Sequence, residues 1–216
     1  MGQLFPPSFN VISRASIVLL LLLVVAVCLV GGIIYRGSWQ TGERTAVKQP
    51  IPFSHQHHVA VLGIDCRYCH TGVENSSFAG IPSTHTCMTC HSQIWTNAPV
   101  LAPVRDSYRT GEPLRWTRVH DLPDFVYFDH SIHVRKGVGC VECHGRVDRM
   151  PIAWQTESLH MKWCLDCHER PHERLRPRTA VVRMDAPLPN ASERLALSRF
   201  NDIHAAQLTD CSICHR

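Results

Sequence analysis

Five copies of one pentapeptide constrain this chain more than any other feature. Cys-x-x-Cys-His occurs at Cys66/Cys69/His70, Cys87/Cys90/His91, Cys140/Cys143/His144, Cys164/Cys167/His168 and Cys211/Cys214/His215, here motifs 1 to 5, and takes up ten of the eleven cysteines. A lone Cys-x-x-Cys fits half a zinc site or a redox dithiol. A histidine directly after the second cysteine, five times out of five, is the pattern of covalent c-type haem attachment. The spacing follows from the chemistry: two thiols add to the two vinyl groups of one porphyrin, and the adjacent imidazole is held beneath the ring to bind its iron. Zinc ribbons gain nothing from that histidine, and a disulfide framework has no reason to place it. The expectation is five covalent c-type haems.

The composition agrees. The chain has 216 residues with only 7% aromatic residues, against 14 prolines and 12 glycines, so a conventional protein core would be thin. Five large apolar rings bonded to the chain would supply the missing interior. The expected fold is mainly α and irregular, short helices and loops wrapped around packed haems, with little or no sheet. A net charge of +4 is too mild and too scattered to argue for a nucleic-acid partner.

Residues 15–35 contain no charge, and residues 17–34 are almost wholly Leu, Val and Ile. At 1.5 Å per residue this run spans most of a hydrocarbon layer of about 30 Å. No Ala-x-Ala site follows it, and Val27 before Cys28 is a poor lipoprotein signal, so the expectation is an uncleaved single-pass anchor in contact with membrane lipid. Basic residues lie on both sides (Arg14 before; Arg36, Arg44 and Lys48 after), so charge does not orient it. Haem attachment does, because thiols are ligated on the outer face of a bacterial inner membrane; the haem region is expected on the periplasmic side. Cys28 reads as a small apolar residue of the helix.

Ten histidines lie outside the motifs: His55, His57, His58, His85, His120, His130, His133, His160, His172 and His204. Five irons that transfer electrons without binding substrate need five further ligands. Phe53-Ser-His55-Gln-His-His58-Val precedes motif 1, and Phe128-Asp-His130-Ser-Ile-His133-Val precedes motif 3. Two Phe-x-His-x-x-His-Val elements imply a duplicated module. Histidines three apart share a helical face, so the first is expected to reach the haem just downstream and the second a different one. His57, His85, His172 and His204 take the ordinary reading of surface or packing residues. Residues 92–124, with four prolines and no apolar period, read as an irregular connection, and residues 191–200 as a short amphipathic helix after Pro189.

Residues 128–216, with His-x-x-His, three Cys-x-x-Cys-His motifs and His160 four residues before Cys164, resemble the small class III multihaem cytochromes. The whole chain, with its single anchor, the run from Val119 through His133 and Met161-Lys-Trp-Cys-Leu-Asp-Cys-His168, resembles the pentahaem cytochrome subunit of bacterial alternative complex III. That resemblance implies an electron-conducting subunit of a membrane complex that oxidises quinol. The other subunits are then its partners, and a cytochrome c or an oxidase is the acceptor. It also implies distal ligands at His55, His58, His120, His130 and His133, with Met161 favoured over His160 at the fourth haem: six candidates for five places. The division expected is an anchor over residues 1–36, a dihaem module and linker over 37–124, and a trihaem class III-like module over 125–216. The competing functions are a tetrahaem-type membrane quinol dehydrogenase feeding periplasmic reductases, and a multihaem nitrite reductase. Five motifs and the duplicated element weigh against the first, and the lack of a Cys-x-x-Cys-Lys variant against the second.

Overall fold

The structure, a computed structural model, describes residue 6 and residues 8–215. The chain divides into two compact units, Met1–Gly42 and Glu43–Arg216.

In the first unit, α1 (Ser8–Arg36) is a single helix of 29 residues, about 43 Å long at 1.5 Å per residue. Its most apolar window has a mean hydropathy of 3.4 and none of it is buried within the structure, so it is long and apolar enough to cross a membrane. Gly37 interrupts it, and α2 (Ser38–Thr41) ends at Gly42, whose φ of 70° lies in the left-handed region that glycine enters without strain.

The second unit is built from short helices and loops, with isolated bridges and no strand among the described residues. One π-helical stretch, Gln56–Val61, follows His55. Then come α3 (Cys66–Cys69), α4 (Thr84–His91), α5 (Ala102–Thr110), α6 (His130–Arg135), α7 (Val141–His144), α8 (Met161–Glu169), α9 (Ala191–Phe200) and α10 (Cys211–Cys214). Every attachment motif lies on or against one of these helices, which stacks its two cysteines on adjacent turns. Asp65 and Asp210, immediately before the first cysteines of motifs 1 and 5, cap α3 and α10 by accepting the backbone N–H of Arg67 and Ser212.

The helix expected over residues 191–200 is α9, started by a reciprocal capping box between Asn190 and Glu193. The connection over residues 92–124 departs from its expected irregularity, since it contains α5. Pro103 falls in the first turn, where a missing N–H costs nothing, and Gly111 closes the end at φ 79°. The prolines that read as breakers mark a helix start.

The apolar core is thin. Among the described residues the buried hydrophobic side chains are Ile51, Val73, Val104, Met150, Leu175, Val181 and Met184. Leu175, fully buried, sits where Val138 and Leu175 bridge antiparallel. Most motif thiols and all five motif histidines are half-buried rather than packed into that core.

A candidate haem-binding interior

At motifs 1 to 4 the motif histidine meets a second imidazole. His55 lies 6.5 Å from His70 between ring centroids, with planes 7° apart; His130 lies 6.3 Å from His144 at 11°. His58 lies 6.2 Å from His91 at 65°, and His133 lies 6.1 Å from His168 at 29°. With a metal–imidazole bond of about 2 Å on each side and roughly 1.1 Å from ring nitrogen to centroid, two rings on opposite sides of one iron stand about 6 Å apart. Direct stacking would close that gap. Four motif histidines therefore face a partner across a space of the right width for one metal, and the residues fit haem.

In six of these eight rings, and in His215, the second nitrogen is occupied, whereas Nδ1 of His55 is buried without a hydrogen-bond partner. Nδ1 meets a backbone carbonyl oxygen in His58 (Ser54, 2.8 Å), His70 (Gly80, 2.7 Å), His91 (Ile94, 3.3 Å), His130 (Ser77, 2.8 Å), His133 (Asp129, 2.7 Å), His168 (Leu208, 2.8 Å) and His215 (Phe125, 3.1 Å). A ring donating Nδ1–H to a carbonyl presents a bare Nε2, the tautomer and orientation needed for a metal bond. Burial holds the inner imidazoles neutral: it lowers the pKa of His55 to about 4 and of His144 to about 3, with neighbouring imidazoles adding to each, and it also lowers that of His133. Neutral imidazole is the ligating form.

The thiols are equally telling. Burial, with lesser electrostatic contributions, pushes Cys140 up to about 11 and Cys143 up to about 12, and it raises Cys66, Cys69, Cys87, Cys164 and Cys167. A redox dithiol needs a depressed thiol, and these are the opposite. All eleven cysteines are free of disulfides. Among the described residues no group of three or more His, Cys, Asp or Glu is arranged to hold a bare metal ion; the imidazoles pair rather than cluster.

The duplicated element is a duplicated piece of structure. Phe53 stacks on His58 (4.4 Å, 22°) and meets His55 edge-on (4.9 Å, 86°), while Phe128 stacks on His133 (4.5 Å, 26°) and meets His130 edge-on (4.8 Å, 89°). Each phenylalanine is a shelf that sets the direction of two imidazoles. Sequence reasoning quoted both phenylalanines but gave them no role; their presence in the repeat was the available signal. It also missed the carbonyls of Ser77, Gly80 and Leu208, for which a sequence offers no signal at all.

The remaining candidates sit differently. His120 is 4.3 Å from His144 at 74°, beside that ring rather than opposite it; burial lowers its pKa to about 4, and its Nε2 is buried without a hydrogen-bond partner. His160 is the half-buried residue preceding α8, and Met161, the first residue of that helix, is 65% exposed. The ring opposite His168 is His133. Of the histidines given the ordinary reading, His57 stacks on Trp95, His85 packs against Tyr108 and His204 pairs with Asp202.

Paired thiols at fixed spacing, a following imidazole and a second imidazole across a metal-sized gap are features of the multihaem c-type cytochromes. Comparison with known families agrees over most of the second unit. Residues 126–216 match the family described as cytochrome c7 and related cytochrome c, and residues 36–102 match the class III cytochrome c family. These matches imply covalently bound c-type haem. A stretch of 98 residues is 40% identical to the protein named menaquinone reductase, multiheme cytochrome c subunit, of Nitratidesulfovibrio vulgaris (strain Hildenborough). It covers 45% of this chain and 46% of that protein, so the match spans about half of the relative's length.

Proposed function

We propose that this chain is a membrane-anchored pentahaem cytochrome c that conducts electrons within a quinol-oxidising membrane complex of the alternative complex III type. The observation behind it is the set of imidazole pairs at 6.1 to 6.5 Å, which at four motifs would hold one haem iron between two histidines. A bound haem supplies a one-electron iron couple. The residues do the rest: Cys66 and Cys69, Cys87 and Cys90, Cys140 and Cys143, Cys164 and Cys167, and Cys211 and Cys214 anchor the porphyrins; His70, His91, His144, His168 and His215 bind from one side. His55, His58, His130 and His133 bind from the other side at motifs 1 to 4. At motif 5 we infer His160, expected from its spacing at the fourth haem but left over because His168 already faces His133, with the exposed Met161 as the alternative. Irons held between two imidazoles would have no site for a substrate, and four of the five motifs have that pair, which favours conduction over catalysis. In this reading α1 is the anchor, the haem unit faces the periplasm, and residues 37–124 and 125–216 are the dihaem and trihaem modules.

A second reading takes its support from the relative named as a menaquinone reductase subunit, in which the complex would pass electrons toward the quinone pool. Purification from native membranes separates the two, through the subunits that travel with the chain and the direction of quinone turnover. The pentahaem reading itself predicts five haems per chain by pyridine haemochrome assay and no high-spin iron. A count of four or fewer overturns it. Intact mass of the mature protein tests the anchor, which requires residues 17–34 to be retained.

A further inference from the structure

We propose that the five attachment motifs stand in space in the order 2, 1, 3, 4, 5, so that motifs 2 and 5 are the ends of the row and motif 1, first in sequence, is internal. This rests on the pentahaem reading and goes beyond it, because nothing in motif spacing gives the order.

Each junction has its own geometry. Motifs 1 and 2 are joined by His55 and His58, three residues apart on one turn, which face His70 and His91 respectively. Inside the motifs themselves, the Tyr68 hydroxyl lies 2.8 Å from Thr89 Oγ1. Motifs 3 and 4 are joined in the same way by His130 and His133 on α6, which face His144 and His168. Residues i and i+3 of a helical turn lie on one face only about 5 to 6 Å apart, so two motifs served by one turn are neighbours. Motifs 4 and 5 are joined where the Leu208 carbonyl, just ahead of Cys211, accepts from His168 Nδ1 at 2.8 Å.

The junction between the modules decides the order. The first cysteines of motifs 1 and 3 rest on consecutive peptides: Cys140 N–H donates to the Val181 carbonyl at 3.0 Å, and Cys66 Sγ lies 3.9 Å from the Val182 carbonyl. Residues 77–80 bind both sides of the same junction, since the Gly80 carbonyl takes Nδ1 of His70 and the Ser77 carbonyl takes Nδ1 of His130. Ser131 N–H adds a bond to the Ser76 carbonyl. One loop thus orients the proximal ring of motif 1 and the distal ring of motif 3. Motif 2 instead spends its contacts on motif 1 through Thr89 and on α5, which packs against α4.

The consequence is that the first module runs backwards relative to the sequence. Loss of motif 1 would then separate motif 2 from the other three.

Iron-edge anomalous difference maps from crystals of the full-length holo protein give the test, because they locate each iron without relying on activity. The expected result is five peaks in which the iron over motif 1 has the irons of motifs 2 and 3 as its nearest neighbours. Five peaks with the motif 2 iron next to that of motif 3 would overturn the order while leaving the pentahaem reading intact. Fewer than five peaks in fully loaded protein would overturn both, and only that outcome reaches the underlying reading.

Discussion

His133, on α6, and His168, near the end of α8, face each other with ring centroids 6.1 Å apart and planes 29° apart. His133 is backed by Phe128 on its face and by the Asp129 carbonyl on Nδ1, so its direction is set from two sides. His133→Ala should leave the haem count at five and convert one haem to a high-spin form, seen by electron paramagnetic resonance. His133→Met should instead raise one potential, since a thioether in place of an imidazole favours the reduced iron. Unchanged spectra in both variants would remove His133 from the ligand set.

The partner of His215 is tested by two neighbouring residues. His160→Ala is expected to produce one high-spin haem, whereas Met161→Leu is expected to leave all five potentials in place, because that side chain is 65% exposed. A thioether-to-iron charge-transfer band that disappears in Met161→Leu would reverse the assignment.

Gly137 shows what the loop after α6 demands. Its φ is 89°, and a Cβ there would lie 2.6 Å from the backbone oxygen of Arg176, to whose N–H the Gly137 carbonyl is itself bonded at 2.9 Å. Gly137→Ala combines left-handed strain with a backbone clash that no rotamer relieves, and should lower stability by on the order of 2 kcal/mol or more in a denaturant titration. A neutral result would mean that the 137–138 and 175–176 segments can separate freely.

Glu142 lies inside motif 3 and holds two arginines, Arg174 at 3.0 Å and Arg176, which is only 3% exposed and also donates to the Ala186 carbonyl at 2.7 Å. Glu142→Ala leaves the Arg176 guanidinium buried without a counter-charge, a loss of about 3 to 5 kcal/mol for breaking a buried pair. Replacing Glu142 and Arg176 together by apolar residues should recover much of it, since the uncompensated charge is the costly part. Equal losses in the single and double variants would contradict that account.

Asp148 supplies a pH dependence. Arg146 binds it with two contacts, 2.6 and 2.8 Å, and this hydrogen bonding holds the carboxyl below the ordinary range. A depressed folded-state pKa means that the unfolded chain takes up the proton first. The stabilisation is therefore fully present above the ordinary carboxylate value of about 3.9 and is lost as pH falls through it toward the folded-state value. Asp148→Asn should lower the denaturation midpoint at neutral pH and flatten its dependence between about pH 5 and pH 3. An identical acid limb in the variant would show that other carboxylates govern it.

Covalent chemistry is legible in a sequence when it is local. Two cysteines and a histidine within five residues specify a haem-attachment pattern wherever the chain places them, and an uncharged apolar run specifies a helix able to cross a membrane by length and composition alone. The cap at Asn190 and Glu193 is equally local, and α9 followed from it. Helix α5 was obscured because prolines that break a helix interior also favour its first turn.

The sequence by itself therefore determined the five Cys-x-x-Cys-His motifs, the attachment pattern they carry and the duplicated Phe-x-His-x-x-His element. Only the tertiary structure decided which imidazole faces which, that His120 stands beside His144 rather than opposite it, and that motif 1 lies against motif 3. The physical reason is range. A ligand pair is closed by chain segments far apart in sequence, and its direction is set by backbone carbonyls such as those of Ser77, Gly80 and Leu208, which every residue possesses and no side-chain pattern marks.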